Sequence, residues 1–131
     1  MSTYQVGNTP TQIKLAVDLD TVGLAASRAI VLDLNSNDPS ITVGKSINAT
    51  GDIPRRDIGT ASSLQGKRLT IISKIDLIGS PAFIKKEAQR LGAKYILEDG
   101  MEGNVAFTNP DKTISDDSSS VVLFIQIELI P

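Results

Sequence analysis

The chain has 131 residues, with 13 Lys plus Arg against 15 Asp plus Glu and a formal charge of -2. That length fits one domain around one core, spanning 1–131, and the dispersed, nearly balanced charge argues against nucleic acid as a partner. The absence of Cys and His removes disulfides, thiolate nucleophiles, imidazole bases and His- or Cys-ligated metals. Carboxylate chemistry, Ser/Thr/Lys chemistry and oxygen-ligated metals remain.

Hydrophobic residues make up 40% of the chain, gathered as Ile, Leu and Val runs that separate it from a disordered polypeptide. No stretch approaches the roughly 20 apolar residues that cross a bilayer, so no membrane span is expected. The start, Met1-Ser2-Thr3-Tyr4-Gln5, lacks the basic and apolar regions of a signal peptide. The default expectation is a cytoplasmic protein, with export by another route left open. Residues 1–10 could form a flexible N-terminal arm.

Period-two alternation, which sends successive side chains to opposite faces of a sheet, is the clearest pattern. From Gln12 to Asp20, Ile13, Leu15, Val17 and Leu19 interleave with Lys14, Ala16, Asp18 and Asp20, as in a half-buried strand. From Arg28 to Leu34, Ile30, Leu32 and Leu34 occupy one face and Ala29, Val31 and Asp33 the other. Ile41 to Ile47 repeats the pattern more weakly. Periodicity then lapses between Asn48 and Lys67, where Gly51, Pro54, Gly59 and Gly66 surround Arg55, Arg56 and Asp57. So long a connection is uncommon in a compact domain unless it is functional or pairs at an edge. Arg55, Arg56 and Asp57 are therefore candidates for a contact surface, against a surface crossover carrying a short edge strand.

Leu69 to Ile78 reads as a long strand with Leu69, Ile71, Ile75 and Leu77 inward, interrupted on that face only by Ser73. One short helix follows at about 81–91: Ser80 can cap it, Pro81 suits its first position and Gly92 can end it in a left-handed conformation. Ile84, Ala88 and Leu91 form its apolar stripe, expected to cover a sheet edge or end. Lys94–Glu98 and Asn104–Thr108 should form a hairpin about the turn-rich 99–103. Asn109–Ser120 reads as an exposed loop. Val121–Ile130 is apolar at every odd position and carries Val122, Phe124 and Ile130 among the even ones, as expected for a central strand. The fold class is mainly β: an antiparallel two-sheet β-sandwich of about seven strands with one short α-helix inserted between them.

Local motifs fail on spacing. Val43-Gly44-Lys45-Ser46 ends like a phosphate-binding loop, but Pro39 stands where its first Gly is required. Asp33, Asn35 and Asn37, followed by Asp38, have the alternating oxygen spacing that opens a calcium loop, yet no carboxylate closes it at Gly44. Glu98, Asp99, Glu102 and Glu128 could supply a hydrolytic carboxylate pair, although a chain with no Trp offers little aromatic surface to a sugar. Ser73 and Lys74 adjoin in a strand and point to opposite faces, so they cannot act together. Asn48-Ala49-Thr50 matches a glycosylation sequon without other support.

No cofactor is implied. The expected function is that of a non-enzymatic structural or protein-interaction sandwich, a subunit of a larger assembly that binds another protein or itself as a homo-oligomer. Val122, Phe124 and Ile130 mark a second apolar face that calls for cover. The alternatives are a calcium- or ligand-binding module using acidic end loops, and a carboxylate-dependent hydrolase.

Overall fold

Alternation along the chain becomes two packed sheets in the computed structural model, which describes residues 2–33 and 40–131. The elements in chain order are β1 (Ser2–Gln5), β2 (Gln12–Asp20), β3 (Leu24–Asp33), β4 (Ile41–Lys45) and β5 (Ile53–Thr60). They continue with α1 (Ala61–Leu64), β6 (Lys67–Asp76), α2 (Pro81–Arg90), β7 (Gly92–Gly100), β8 (Gly103–Phe107), β9 (Asp111–Ile114) and β10 (Ser120–Ile130). The larger sheet runs β1-β10-β6-β3-β4 with β9 also on β10, and the smaller runs β5-β2-β7-β8. This is the mainly β, two-sheet sandwich expected from the patterning. Among the described residues, every strand pair but one is antiparallel; β1 runs parallel to β10.

β10 is central, as its apolar alternation requires. β6 pairs along one edge, while β9 takes Val121–Phe124 and β1 takes Ile127–Ile130 on the other. Its odd side chains, Val121 to Leu129, are buried against those of the smaller sheet, including Ile13, Leu15, Val17 and Leu97. Ser73, the interruption in β6, is also fully buried. It sits opposite Ser27 on β3, and the two hydroxyls hydrogen-bond at 2.7 Å, so the polar atoms are satisfied across the strand pair rather than left bare. The Tyr95 hydroxyl of the facing sheet lies by Ser73, and burial pushes it up to about 12.

Four expectations change. Residues 2–6 are no free arm: Tyr4 and Val6 are buried, and the Tyr4 hydroxyl donates to the Gly103 carbonyl and accepts from the Gly100 N–H. A Cβ on Gly100 would come within 2.5 Å of the Tyr4 ring, so the close approach depends on glycine there. Residues 48–67 follow the second of the two readings, a connection that carries an edge strand, but the strand, Ile53–Thr60, is longer than a short one. β5 is the edge strand of the smaller sheet, but two bulges against β2 put Ile53 and Ile58, one odd and one even, both inward and so erase the period-two pattern.

The third change concerns 109–120, which contains β9. Fourth, α2 ends without a left-handed glycine: Leu91 is its C-cap in an extended conformation and Gly92 already belongs to β7. The exposed carbonyls are instead taken by Lys112 of β9, whose Nζ donates to Ala88, Gln89 and Leu91 at 3.2, 3.2 and 2.6 Å. The other end matches expectation, with Ser80 Oγ accepting from the Phe83 N–H at 3.3 Å.

α2 closes one end of the sandwich through a buried carboxylate that the apolar stripe does not reveal. Glu87 accepts from Arg90 at 2.6 and 2.9 Å and from the Val22 N–H at 3.3 Å, while Arg90 also reaches Asp20 at 3.2 Å. The Arg90 hydrogen bond holds the Glu87 carboxyl below its usual value. No described helix is long and apolar enough to cross a membrane.

Two expected outcomes follow from these ties. Tyr4→Ala removes both a buried ring and two hydrogen bonds and should cost about 3–5 kcal/mol in urea unfolding; a loss under about 1 kcal/mol would show that β1 is peripheral to the core. Because Glu87 titrates below its unfolded value, its contribution is present above about pH 4.5 and is lost as the pH falls through the lower folded value. The stability gap between the natural chain and Glu87→Gln should therefore be constant above that pH and narrow below it, measured as urea midpoints across a pH series.

Candidate functional site

The same alternation that fills the core gives each sheet an outer face, and the two differ in chemistry. On the smaller sheet, Lys14 stands between Glu98 of β7 and Asp57 of β5. Its ammonium meets Asp99 at 2.6 Å and Asp57 at 4.0 Å, while Arg55 meets Glu98 at 2.7 Å. The Lys14 hydrogen bond holds the Asp99 carboxyl below the usual carboxylate range. This face is solvated, and Lys14, Arg55, Asp57, Glu98 and Asp99 find partners within the protein.

The larger sheet presents something else. Its outer rows, read off the strand register, are Val122, Lys74 and Ala26, then Phe124, Ile72, Arg28 and Lys45, then Gln126, Thr70, Ile30 and Thr42. The first two rows set apolar side chains beside cations, and the third is polar and apolar without a charge. Ile72 is 40% and Leu24 55% exposed, while Val122, Phe124 and Ile130 are half-buried by their neighbours. Arg28 donates from Nε and Nη2 to Thr42 Oγ1 at 3.0 and 2.7 Å, which fixes its guanidinium on this face. Arg68 Nε and Thr70 Oγ1 are buried here without a hydrogen-bond partner.

No known family, curated protein or solved structure matches the chain.

The residues singled out from sequence fall in three places. Val122 and Phe124 share neighbouring rows on the outer face of the larger sheet with Ile72 and Leu24, whereas Ile130 lies on the same face three rows from Phe124, beyond Gln126 and Glu128. Arg55, Arg56 and Asp57 lie on β5 at the edge of the smaller sheet, where Arg55 and Asp57 are engaged in that sheet's own ion pairs and Arg56 reaches across to Gly44 and Lys45 of β4. Of the calcium-type run, Asp33 ends β3 and Asn35, Asn37 and Asp38 lie outside the described residues. Among the described residues, no group of three or more acidic side chains is arranged to hold a metal ion. Asp117, in the acidic loop before β10, accepts from Ser115 and Ser119, and those hydrogen bonds, the Ser119 hydroxyl first, lower its carboxyl to about 2. Of the carboxylates weighed for hydrolysis, Glu98 and Asp99 are committed to ion pairs on β7, Glu102 accepts from the Gln5 N–H, and Glu128 stands apart on the other sheet.

Leu24, Ile72, Arg28, Lys45 and Lys74 complete the face, and sequence alone does not assemble them. They come from three strands whose order, β4-β3-β6, only the register fixes. If the outer face is uncovered in the isolated chain, Ile72→Ser should change stability by no more than about 0.5 kcal/mol, whereas Ile71→Ala, its inward neighbour, should cost about 2–5 kcal/mol. Paired urea melts make the comparison, and a large loss at Ile72 would mean that this side chain is buried after all.

Proposed function

We propose that the chain is a non-enzymatic interaction subunit, a β-sandwich that works by presenting the outer face of its larger sheet to another protein. The contrast between the two outer faces carries the proposal. The smaller sheet pairs Lys14 and Arg55 with its own carboxylates, whereas the larger one leaves Leu24, Ile72, Val122 and Phe124 in adjacent rows beside Arg28, Lys45 and Lys74, which form no ion pair with a described residue. Contiguous apolar surface of this kind marks interaction sites more often than scattered single residues do. Supporting the non-enzymatic part, the chain has no His or Cys, and the described surface depressions bring at most one carboxylate each: Asp111, Asp99 or Asp76.

Placing a photo-crosslinking amino acid at Ile72, and separately at Asp18 on the smaller sheet's outer face, tests this inside the cells that make the protein. Adducts of higher mass are expected from position 72 and not from 18. Equal labelling from both faces, or none from either, would overturn the proposal.

A further inference from the structure

We infer that the partner segment seated on this face is acidic, presenting carboxylates around an apolar side chain. The inference rests on the preceding proposal and narrows it to a chemistry. At the centre of the face lies a shallow depression of about 420 Å³ lined by Ala26, Arg28, Lys45, Ser46, Ile72 and Lys74. Register explains its composition: Arg28 is opposite Lys45 on one side and Ile72 on the other, and Lys74 is opposite Ala26 one row along. Three cations therefore ring a floor made by Ile72 and Ala26.

Those cations are uncommitted. None of Arg28, Lys45 and Lys74 forms an ion pair with a described residue, although Lys14, Arg55 and Arg90 all do. The two bonds from Arg28 to Thr42 leave its other N–H donors free, and a guanidinium already held in place is suited to paired hydrogen bonds from a carboxylate. An apolar side chain on the partner would cover Ile72, and acidic neighbours would meet the ring.

The balance of charge on the face selects among occupants. Arg28, Lys45, Arg68 and Lys74 stand against Asp76, Asp111 and Glu128, and three of the four cations gather about the depression while Asp111 and Glu128 lie towards β9 and β1, although the whole chain carries -2. A second copy laid face to face would oppose cations to cations, which disfavours self-docking. A nucleic acid would want a basic track continued across the molecule, and here the cations surround one depression. Area limits the occupant to a short segment: four strands about 4.8 Å apart, with about eight residues rising about 3.3 Å each, give a plane of about 500 Å² before side-chain relief, below the standard for a folded partner. The partner in a standard interface buries about 800 Å².

The test titrates the full isotope-labelled chain with three nine-residue peptides and follows backbone amide shifts. One peptide has a central Leu flanked by Glu, the second has Ser in place of that Leu, and the third has Lys in place of the Glu. The first should bind with shifts confined to β3, β4, β6 and β10, weaken as salt is raised, and lose about tenfold in affinity on Lys45→Glu with Lys74→Glu. The second should bind more weakly and the third not at all. Equal binding of all three, or shifts elsewhere, overturns the inference. So does concentration-dependent self-association through this face, or saturation by inorganic polyphosphate or phosphatidylserine vesicles where the acidic peptide fails. A position-72 crosslink to a protein without acidic-peptide binding would leave the interaction proposal standing and sink its chemistry, whereas the absence of both would sink the two together.

Discussion

Everything in this sandwich hangs on the two-residue period of β10. One set of its side chains, Val121, Leu123, Ile125, Ile127 and Leu129, is buried against the facing sheet. A one-residue slip would exchange that set for Val122, Phe124, Gln126, Glu128 and Ile130, burying a carboxylate and an amide where nothing could pair them. The register is thus held by a large energetic penalty. Because β6 pairs along nearly the whole of β10, the same penalty fixes where Ile72 and Lys74 stand, and through β6 it fixes Arg28 and Ala26 on β3. Core and outer face are two readouts of one constraint.

How well the sequence displays a strand depends on whether its pairing preserves that period. β2 and β10 alternate without interruption, and β6 with the single interruption of Ser73, and all three are legible. β5 is hidden by its two bulges, and β9 by its composition, since Asp111-Lys112-Thr113-Ile114 is exposed along its length and has no buried set to reveal it. β3 is legible as a strand but misleading as to its faces. Ile30 and Leu32 look like the core set, yet Ala25, Ser27, Ala29 and Val31 are the buried ones, because small side chains suffice where Gly44 and Gly51 bring neighbouring backbone close. A Cβ on Gly51 would meet the Leu19 and Ala25 side chains at 2.5 and 2.7 Å. β1 is short, and its burial follows from Tyr4 reaching a glycine 96 residues away, a relation that no local pattern contains.

The candidate surface was legible in part for the same reason. Val122, Phe124 and Ile130 stand out because a half-buried strand should be polar on its second face, and β10 is not. Ile72 carries no such mark, since it sits among Ile71, Ile75 and Leu77 and passes for core. The cations are less visible still: Arg28, Lys45 and Lys74 are ordinary surface residues until three strands place them about one depression. Arg55, Arg56 and Asp57 mislead in the opposite direction. A cluster contiguous in sequence suggests a patch, but in a strand neighbours point apart, and Arg55 and Asp57 meet partners on their own sheet.

The edges of the sheets sharpen the case for the face over the edge as the means of contact. An exposed strand edge recruits other strands unless it is guarded. β5 is guarded by Pro54, by the charges that follow it and by its bulges; β4 is short and bulged against β3. β10, the strand with the most to offer a foreign edge, has its free side taken by β9 and β1 end to end. With β4 and β5 guarded, the free side of β10 occupied and the five-residue β8 left as the open edge of the smaller sheet, the proposed contact falls to side chains on the outer face of the larger sheet. Recognition there would read apolar shape and charge, which select a partner by composition, rather than backbone donors and acceptors, which any extended chain could satisfy.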